Sequence, residues 1–191
     1  MTATNSQPKS FLTDIQAIRQ RARSHLMDGA ITPAYKADRE KVIAVLNEAL
    51  ATEIICVLRY TAHYYLASGI HANAVKAEFL EHAADEQGHA NKIAERITQL
   101  NGEPNFSPEG LMTRSHSEFI QGETLVDMIK EDLVAERIAV DTYREIVQFL
   151  GNDDPTSRAM MEEILASEEE HAEDLKTMLE NLGEKGEPAQ A

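Results

Sequence analysis

The sequence predicts an all-α fold, a bundle of four long helices, and three observations carry that expectation. Apolar residues recur at helical rather than alternating spacing through four stretches of roughly 25 to 30 residues. Gly, Pro and short polar capping residues bracket each stretch. The two halves of the chain also repeat one another. Glu48, Leu50, Glu53, Ile55 and Tyr60 return 83 residues later as Glu131, Leu133, Glu136, Ile138 and Tyr143, and Glu86, His89 and Ala90 return 82 later as Glu168, His171 and Ala172. A duplicated helix pair would set two half-sites facing each other across a pseudo-two-fold axis.

Taken in order, residues 1–10 with Pro8 read as a flexible tail. A first helix is expected over 13–28, with Thr13 as its cap and Gly29 as its stop, and Pro33 marks a turn. The first long helix spans about 38–68, since Val42, Val45, Leu46, Ala49, Leu50, Glu53, Val57, Tyr60 and Tyr64 fall on one broad stripe. Gly69 ends it. Asn73 can cap a second long helix that Gly102 stops. Residues 102–122, with Gly102, Pro104, Pro108, Gly110 and Gly122, hold no sustained period. So long a connection fits a crossover running the length of the bundle, with a short helix expected at 115–121. A third helix follows over about 124–150. Asp154-Pro155, as cap and first helical residue, starts a fourth that runs to about Leu182. The expected organisation is thus a tail and extra helix at 1–37, the bundle at 38–183, and a polar tail at 184–191.

Length and composition narrow the class. The 191 residues suit one domain with a substantial core, and 42% hydrophobic with 27% charged residues describes a folded, soluble chain. No apolar run reaches membrane-spanning length and the N-terminus lacks a signal-type apolar segment, so the expected compartment is the cytoplasm. A net charge of −15 argues against nucleic acid and anionic membrane as partners. Lys9, Arg19, Arg21 and Arg23 make the start locally basic, which reads as a solvated face rather than a DNA-binding arm. The lone Cys56 cannot form an internal disulfide or a two-cysteine metal site.

The chemistry concentrates in Glu86-x-x-His89 and Glu168-x-x-His171. A spacing of three puts Glu and His on one helix face. Alone the pattern is cheap: 7 His and 23 Glu in 191 residues supply about one such pair by chance. Glu53 lies 33 residues before the first pair and Glu136 lies 32 before the second, each within a long amphipathic stretch. Two lone Glu and two Glu-x-x-His pairs on four helices make the donor set of a carboxylate-bridged two-metal site. Carboxylate and imidazole donors without thiolate suit iron or manganese. Four carboxylates buried together would repel, and two divalent ions cancel their charge. Glu86 and Glu168 would bridge, Glu53 and Glu136 would each bind one ion, and His89 and His171 would each add a nitrogen.

Several neighbours admit two readings. Tyr60 and Tyr143 sit two turns after a lone Glu, where they either serve the site, by hydrogen-bonding a ligand carboxylate or donating an electron, or simply pack in the core. Asp132 either orients a ligand His or stands exposed. Glu81 and Asp85 form either an accessory cation site or a solvated face. His82 reads as polar packing, and Gly88 as a point of close approach by a backbone or the metal centre. His25, His63, His71 and His116 lack matching partners.

From Val42 to Leu182 the chain resembles the ferritin-like superfamily, and bacterioferritins in particular. The resemblance runs through Leu46-Asn47-Glu48, Glu53, Tyr60, Asp85-Glu86-x-x-His89-Ala90, Ile93-Ala94-Glu95-Arg96-Ile97, Asp132-x-x-x-Glu136 and Glu168-x-Glu170-His171. It implies a ferritin-like bundle whose six Glu and His residues bind two iron ions, with manganese or zinc as alternatives, and oxidise Fe(II) with O2 or H2O2. Bacterioferritins carry a haem-ligating Met where this chain has Gln87, so haem is not implied. A short fifth helix also finds no room after the fourth, and about 35 extra residues precede the first ligand. The expected assembly is therefore a dimer or a 12-subunit cage rather than a 24-subunit shell. DNA-protecting mini-ferritins build their sites between subunits from another pattern. The competing functions are another di-metal enzyme (peroxidase, manganese catalase or hydroxylase) and a DNA-protecting structural cage.

Overall fold

The computed structural model of the protein describes residues 14–184, all helix and loop, and the chain divides into two compact units, Met1–Tyr35 and Lys36–Ala191. The tail expected at 1–10, the Thr13 cap and the C-terminal tail from 185 lie outside the described residues.

In the first unit, α1 (Ile15–Arg21) is capped by Asp14, whose carboxylate accepts from Gln16 N at 2.9 Å. It is shorter than the predicted 13–28. None of its residues is buried, and without an apolar face to pack, a helix of two turns is all the local signals sustain. A 3-10 turn at Leu26–Asp28 follows, and Gly29 turns the chain with φ 61°.

The second unit is a four-helix bundle built from α2 (Arg39–Leu66), α3 (Ala72–Gln99), α5 (Leu125–Leu150) and α6 (Pro155–Asn181), with the one-turn α4 (Leu111–Arg114) in the crossover. Local chemistry sets the helix starts. Asp38 caps α2, Thr124 and Asp127 form a reciprocal capping box on α5, and Asp154 caps α6 with Pro155 at its first position. The start of α3 departs from expectation: His71 occupies the cap position without a side-chain hydrogen bond, and Asn73 already lies inside the helix. At its other end Asn101 takes the left-handed turn, and Gly102 is needed for space. A Cβ there would come within 2.9 Å of Ile43.

Helices α2 and α3 form one antiparallel pair and α5 and α6 the other. The crossover runs alongside α2 in the same direction. Asn47 binds the backbone of Glu103 and Asn105, Thr52 Oγ1 accepts from His116 N, Arg59 reaches Ser117 and Glu118, and His63 reaches Ile120 O. From Asn47 to His63 that path covers about 24 Å of helix. It delivers the chain to the far end of the bundle, so α5 starts where α2 stops and runs antiparallel to it. Residues 115–121 are loop with a bend at 116–117 rather than helix. Their backbone is spoken for by α2, which leaves a helix nothing to gain.

Leu46, Leu50, Ile93, Ile97, Ile129 and Ile164 are fully buried, each worth about 1.5–3 kcal/mol of apolar burial. A second apolar layer of Val75, Phe79, Met128, Leu175 and Leu179 packs together with Tyr60. The polar centre is embedded in this core. Among the described residues, no helix is long and apolar enough to cross a membrane.

Candidate metal centre

Each bundle helix brings its Glu or Glu-x-x-His inward. Glu53 on α2, Glu86 and His89 on α3, Glu136 on α5, and Glu168 and His171 on α6 are all at most 5% exposed. Their donor atoms fall into two groups, Glu53–Glu86–His89–Glu168 and Glu86–Glu136–Glu168–His171. Within each group the atoms lie within 4.8 Å of one another, and Glu86 and Glu168 belong to both. His89 Nδ1 stands 3.0 Å from Glu168, 3.3 Å from Glu86 and 3.5 Å from Glu53, while His171 Nδ1 stands 3.4 Å from Glu168 and 3.5 Å from Glu86. Donors about 2.1 Å from a common ion are separated by roughly 3.0–3.4 Å, so these spacings suit shared cations.

The unsatisfied atoms make the same point. Glu53 Oε2, Glu86 Oε1, Glu136 Oε2, both Glu168 oxygens and His171 Nδ1 are buried without a hydrogen-bond partner. Buried polar atoms are ordinarily paired, and six orphans facing one spot fit a pair of cations. The other oxygens of the lone Glu residues are held crosswise by the repeat. Tyr143 Oη donates to Glu53 at 2.5 Å, and Tyr60 Oη donates to Glu136. Each tyrosine serves the carboxylate of the opposite half, because α2 and α5 run antiparallel.

Electrostatics follow from the crowding. Burial, then the charges of Glu86 and Glu168, hold the Glu53 and Glu136 carboxyls well above the ordinary carboxylate range. Burial also opposes charge on Glu86, but the neighbouring Glu53, His171 and His89 groups outweigh it and pull its pKa far down. For His89, burial is overcome by Glu168, Glu53 and Glu86, which push the imidazole up to about 12. For His171, Glu168 and Glu86 do the same, up to about 10. Without cations both imidazoles thus carry a proton at neutral pH.

Around the donors, the structure corrects several expectations. Asp132 is fully buried but touches no donor His. It pairs with Arg59 Nε at 2.8 Å and His63 Nδ1 at 2.8 Å, and these two side chains pin the crossover. The carboxylate nearest a donor imidazole's outer nitrogen is Asp85, 3.5 Å from His171 Nε2. Gly88 marks no close approach, since a Cβ there would meet nothing within 4 Å. His82 is more than packing. It is 2% exposed, lies 3.2 Å from Tyr60 Oη through Nδ1, and stacks on His171 with ring centroids 4.1 Å apart. Burial, then His171, pull its pKa down to about 3. Its place one turn before Glu86 was the signal available in the sequence. Glu81 is exposed, and Cys56 is buried against Arg59 with its thiol pushed up by burial.

The family model of the ferritin-like domain matches residues 43–184. The chain is 31% identical over 147 residues to the bacterioferritin of Mycobacterium bovis, covering 76% of this chain and 88% of that one. Its fold superposes with TM-score 0.74 on a dodecameric thioferritin, the bacterioferritin-related protein of Bacteroides fragilis, at 31% identity over 78% of this chain and 89% of that one. Dps from Thermosynechococcus elongatus shares the fold with TM-score 0.71 at 19% identity, over 80% and 96% of the two chains.

Proposed function

The chain belongs to the ferritin-like family, and from that premise we propose that it is a ferroxidase that takes up Fe(II), oxidises it to Fe(III) and stores or detoxifies the product. The observation that carries this reading is the pair of four-donor groups that share Glu86 and Glu168 and hold six orphaned buried atoms. Glu53 and His89 complete one Fe(II) position, and Glu136 and His171 the other. Oxygen and nitrogen donors of this kind suit iron, with manganese or zinc as competitors.

Two Fe(II) side by side deliver two electrons together. With two protons these convert O2 to H2O2, or H2O2 to two waters. The protein's part is to hold both substrate ions within one apolar enclosure and to keep the terminal carboxylates oriented. Tyr60 and Tyr143 supply that orientation through their hydrogen bonds, and they are also the nearest phenols able to give an electron. Haem is no part of the proposal: Gln87 is exposed and donates to Asn91.

The bundle, residues 38–183, is proposed as the functional domain of a cytoplasmic homo-oligomer. A 12-subunit cage is favoured, a dimer being the alternative, because the Bacteroides fragilis relative is described as dodecameric. Fe(II) titrated in air, followed by size-calibrated chromatography, tests the whole reading. Two Fe(II) per chain should be consumed rapidly, with ferric absorbance eluting with protein at cage size. Peroxide turnover with no ferric product would favour a di-metal peroxidase, and a chain that binds no metal would remove the proposal. DNA retention in a mobility-shift assay, which a net charge of −15 disfavours, would favour a DNA-protecting cage.

A further inference from the structure

We propose that the end of the crossover is a pH-released strap, pinned to α2 by a doubly protonated His63. The imidazole is fully buried, with Nδ1 2.8 Å from Asp132 Oδ2 and Nε2 3.1 Å from the Ile120 carbonyl oxygen. A carbonyl oxygen can only accept. Asp132 also accepts from Arg59 Nε at 2.8 Å, and a carboxylate in a buried ion pair has no proton to give. Both partners of the ring are acceptors, so both ring nitrogens must donate. A neutral imidazole, with a single N–H, can hold only one of them.

Each element around the imidazole contributes to its charge. From α5 it meets Asp132, while Glu136, the next acid on that face, is turned to Tyr60. From the crossover it meets the Ile120 carbonyl, and from α3 the uncharged Phe79 ring, 5.7 Å between centroids. On α2 itself Arg59 lies one turn back and shares Asp132. Burial and the Arg59 charge oppose a second ring proton, whereas the two acceptors require it. The clamp is therefore conditional. Its closed state holds one proton more than the released one, so closure is favoured at low pH and given up as pH rises.

Loss of that proton breaks the outer bond rather than the inner one. Asp132 is fully buried and has no water to turn to, whereas Ile120 is 40% exposed and its carbonyl can be solvated. The remaining proton stays on Nδ1. The released stretch is short, because both of its ends are held. Arg59 still binds Ser117 Oγ and the Glu118 carbonyl. Gly122 turns the chain with φ 68° against the first turns of α5, where a Cβ would come within 2.9 Å of Met128 N. Between these posts, among the described residues, the bond from His63 is the only hydrogen bond that Phe119, Ile120 and Gln121 make. Phe119 and Ile120 ride on the stretch that comes loose.

Chymotryptic cleavage of the full chain after Phe119 reads the strap, divided at each pH by cleavage of a free peptide of residues 115–123. Between about pH 6 and about pH 8.5 the normalised rate should rise roughly 10-fold, the effect of one charge-assisted hydrogen bond on the opened fraction. His63→Gln should be cut fast at every pH. His116→Gln, which removes the crossover's own imidazole, should keep the rise. A flat rate in the natural chain would overturn the strap, as would a rise that survives in His63→Gln or disappears in His116→Gln. Should His63→Gln lose its helical circular dichroism, the natural chain and His116→Gln still decide. The six donors are untouched in all three proteins, so the ferroxidase reading stands or falls separately.

Discussion

Filling the centre with two divalent cations should expel at least two protons per chain at pH 7. The number follows from the donors. The surrounding carboxylates keep His89 and His171 protonated up to about 12 and about 10, while burial and the charges of Glu86 and Glu168 hold the Glu53 and Glu136 carboxyls well above the ordinary carboxylate range. The imidazole protons occupy lone pairs that a cation would use, so each must leave before its atom can donate. All four pKa values are raised, so binding is opposed by protons and strengthens as pH rises. Two protons per two ions make the pair's apparent binding constant climb about 100-fold per pH unit around neutrality. The slope flattens near pH 10, where His171 gives up its proton unaided.

Two measurements read this directly. Zn(II), or Fe(II) under strict anaerobiosis, is added to lightly buffered protein while a pH-stat counts the base required. Calorimetry in two buffers of different ionisation enthalpy gives the same number independently. Release of fewer than two protons would refute the reasoning. It would mean that the carboxylates lie ionised beside neutral imidazoles, and the orphaned oxygens would then need some explanation other than shared cations.

Further consequences are open to test. Glu168→Ala removes a residue common to both donor groups, and bound metal should fall below two ions per chain by elemental analysis while circular dichroism stays helical. Tyr143→Phe and Tyr60→Phe each strip one donor from a buried carboxylate and should weaken metal binding roughly 10- to 100-fold by competition with a chelator; equal oxidation rates in the two variants would argue against either tyrosine as a special electron source. Asp132→Ala strands the buried Arg59 charge and should cost about 3–5 kcal/mol in urea unfolding. Because Arg59 and His63 anchor the crossover, that variant should also become open to proteolysis within 115–121. Gly88→Ala should stabilise the protein by about 0.8–1 kcal/mol, read as a higher melting temperature, since a mid-helix Gly is costly and its Cβ would meet nothing.

The bundle and the convergence of the six Glu and His side chains were legible because both rest on periodicity. Helical spacing names the inward face, and a Glu-x-x-His on that face can only point toward the other three helices. The capping residues Asp38, Thr124 and Asp154 were equally plain, being short polar side chains placed directly before apolar stripes. What escaped was polar structure held by distant partners. Nothing near Arg59 announces that Asp132, 73 residues on, will neutralise it, nor that Ser117 and Glu118 will share its guanidinium. The helix expected at 115–121 failed for the same reason, since the groove along α2 claims those backbone groups. Asn73 was a sound cap by type, but α3 begins before it.

Departures from the internal repeat sort these residues further. The six donors and the two tyrosines occur in both halves, as two ions with matching needs would require. Arg59, His63 and Asp132 do not: the positions related to them by 83 residues are Thr142, Ile146 and Ala49. Their single copy has a plain cause, because the crossover docks along α2 and no second crossover runs along α5. His82 is also unrepeated, its counterpart 82 residues on being the fully buried Ile164. The crossover does not touch it, and the paired centre does not need it, since the opposite half does without. A buried imidazole in one half and an isoleucine in the other makes the two halves of the proposed centre unequal. The chemical difference lies on the α3–α6 side, where His82 stacks on His171.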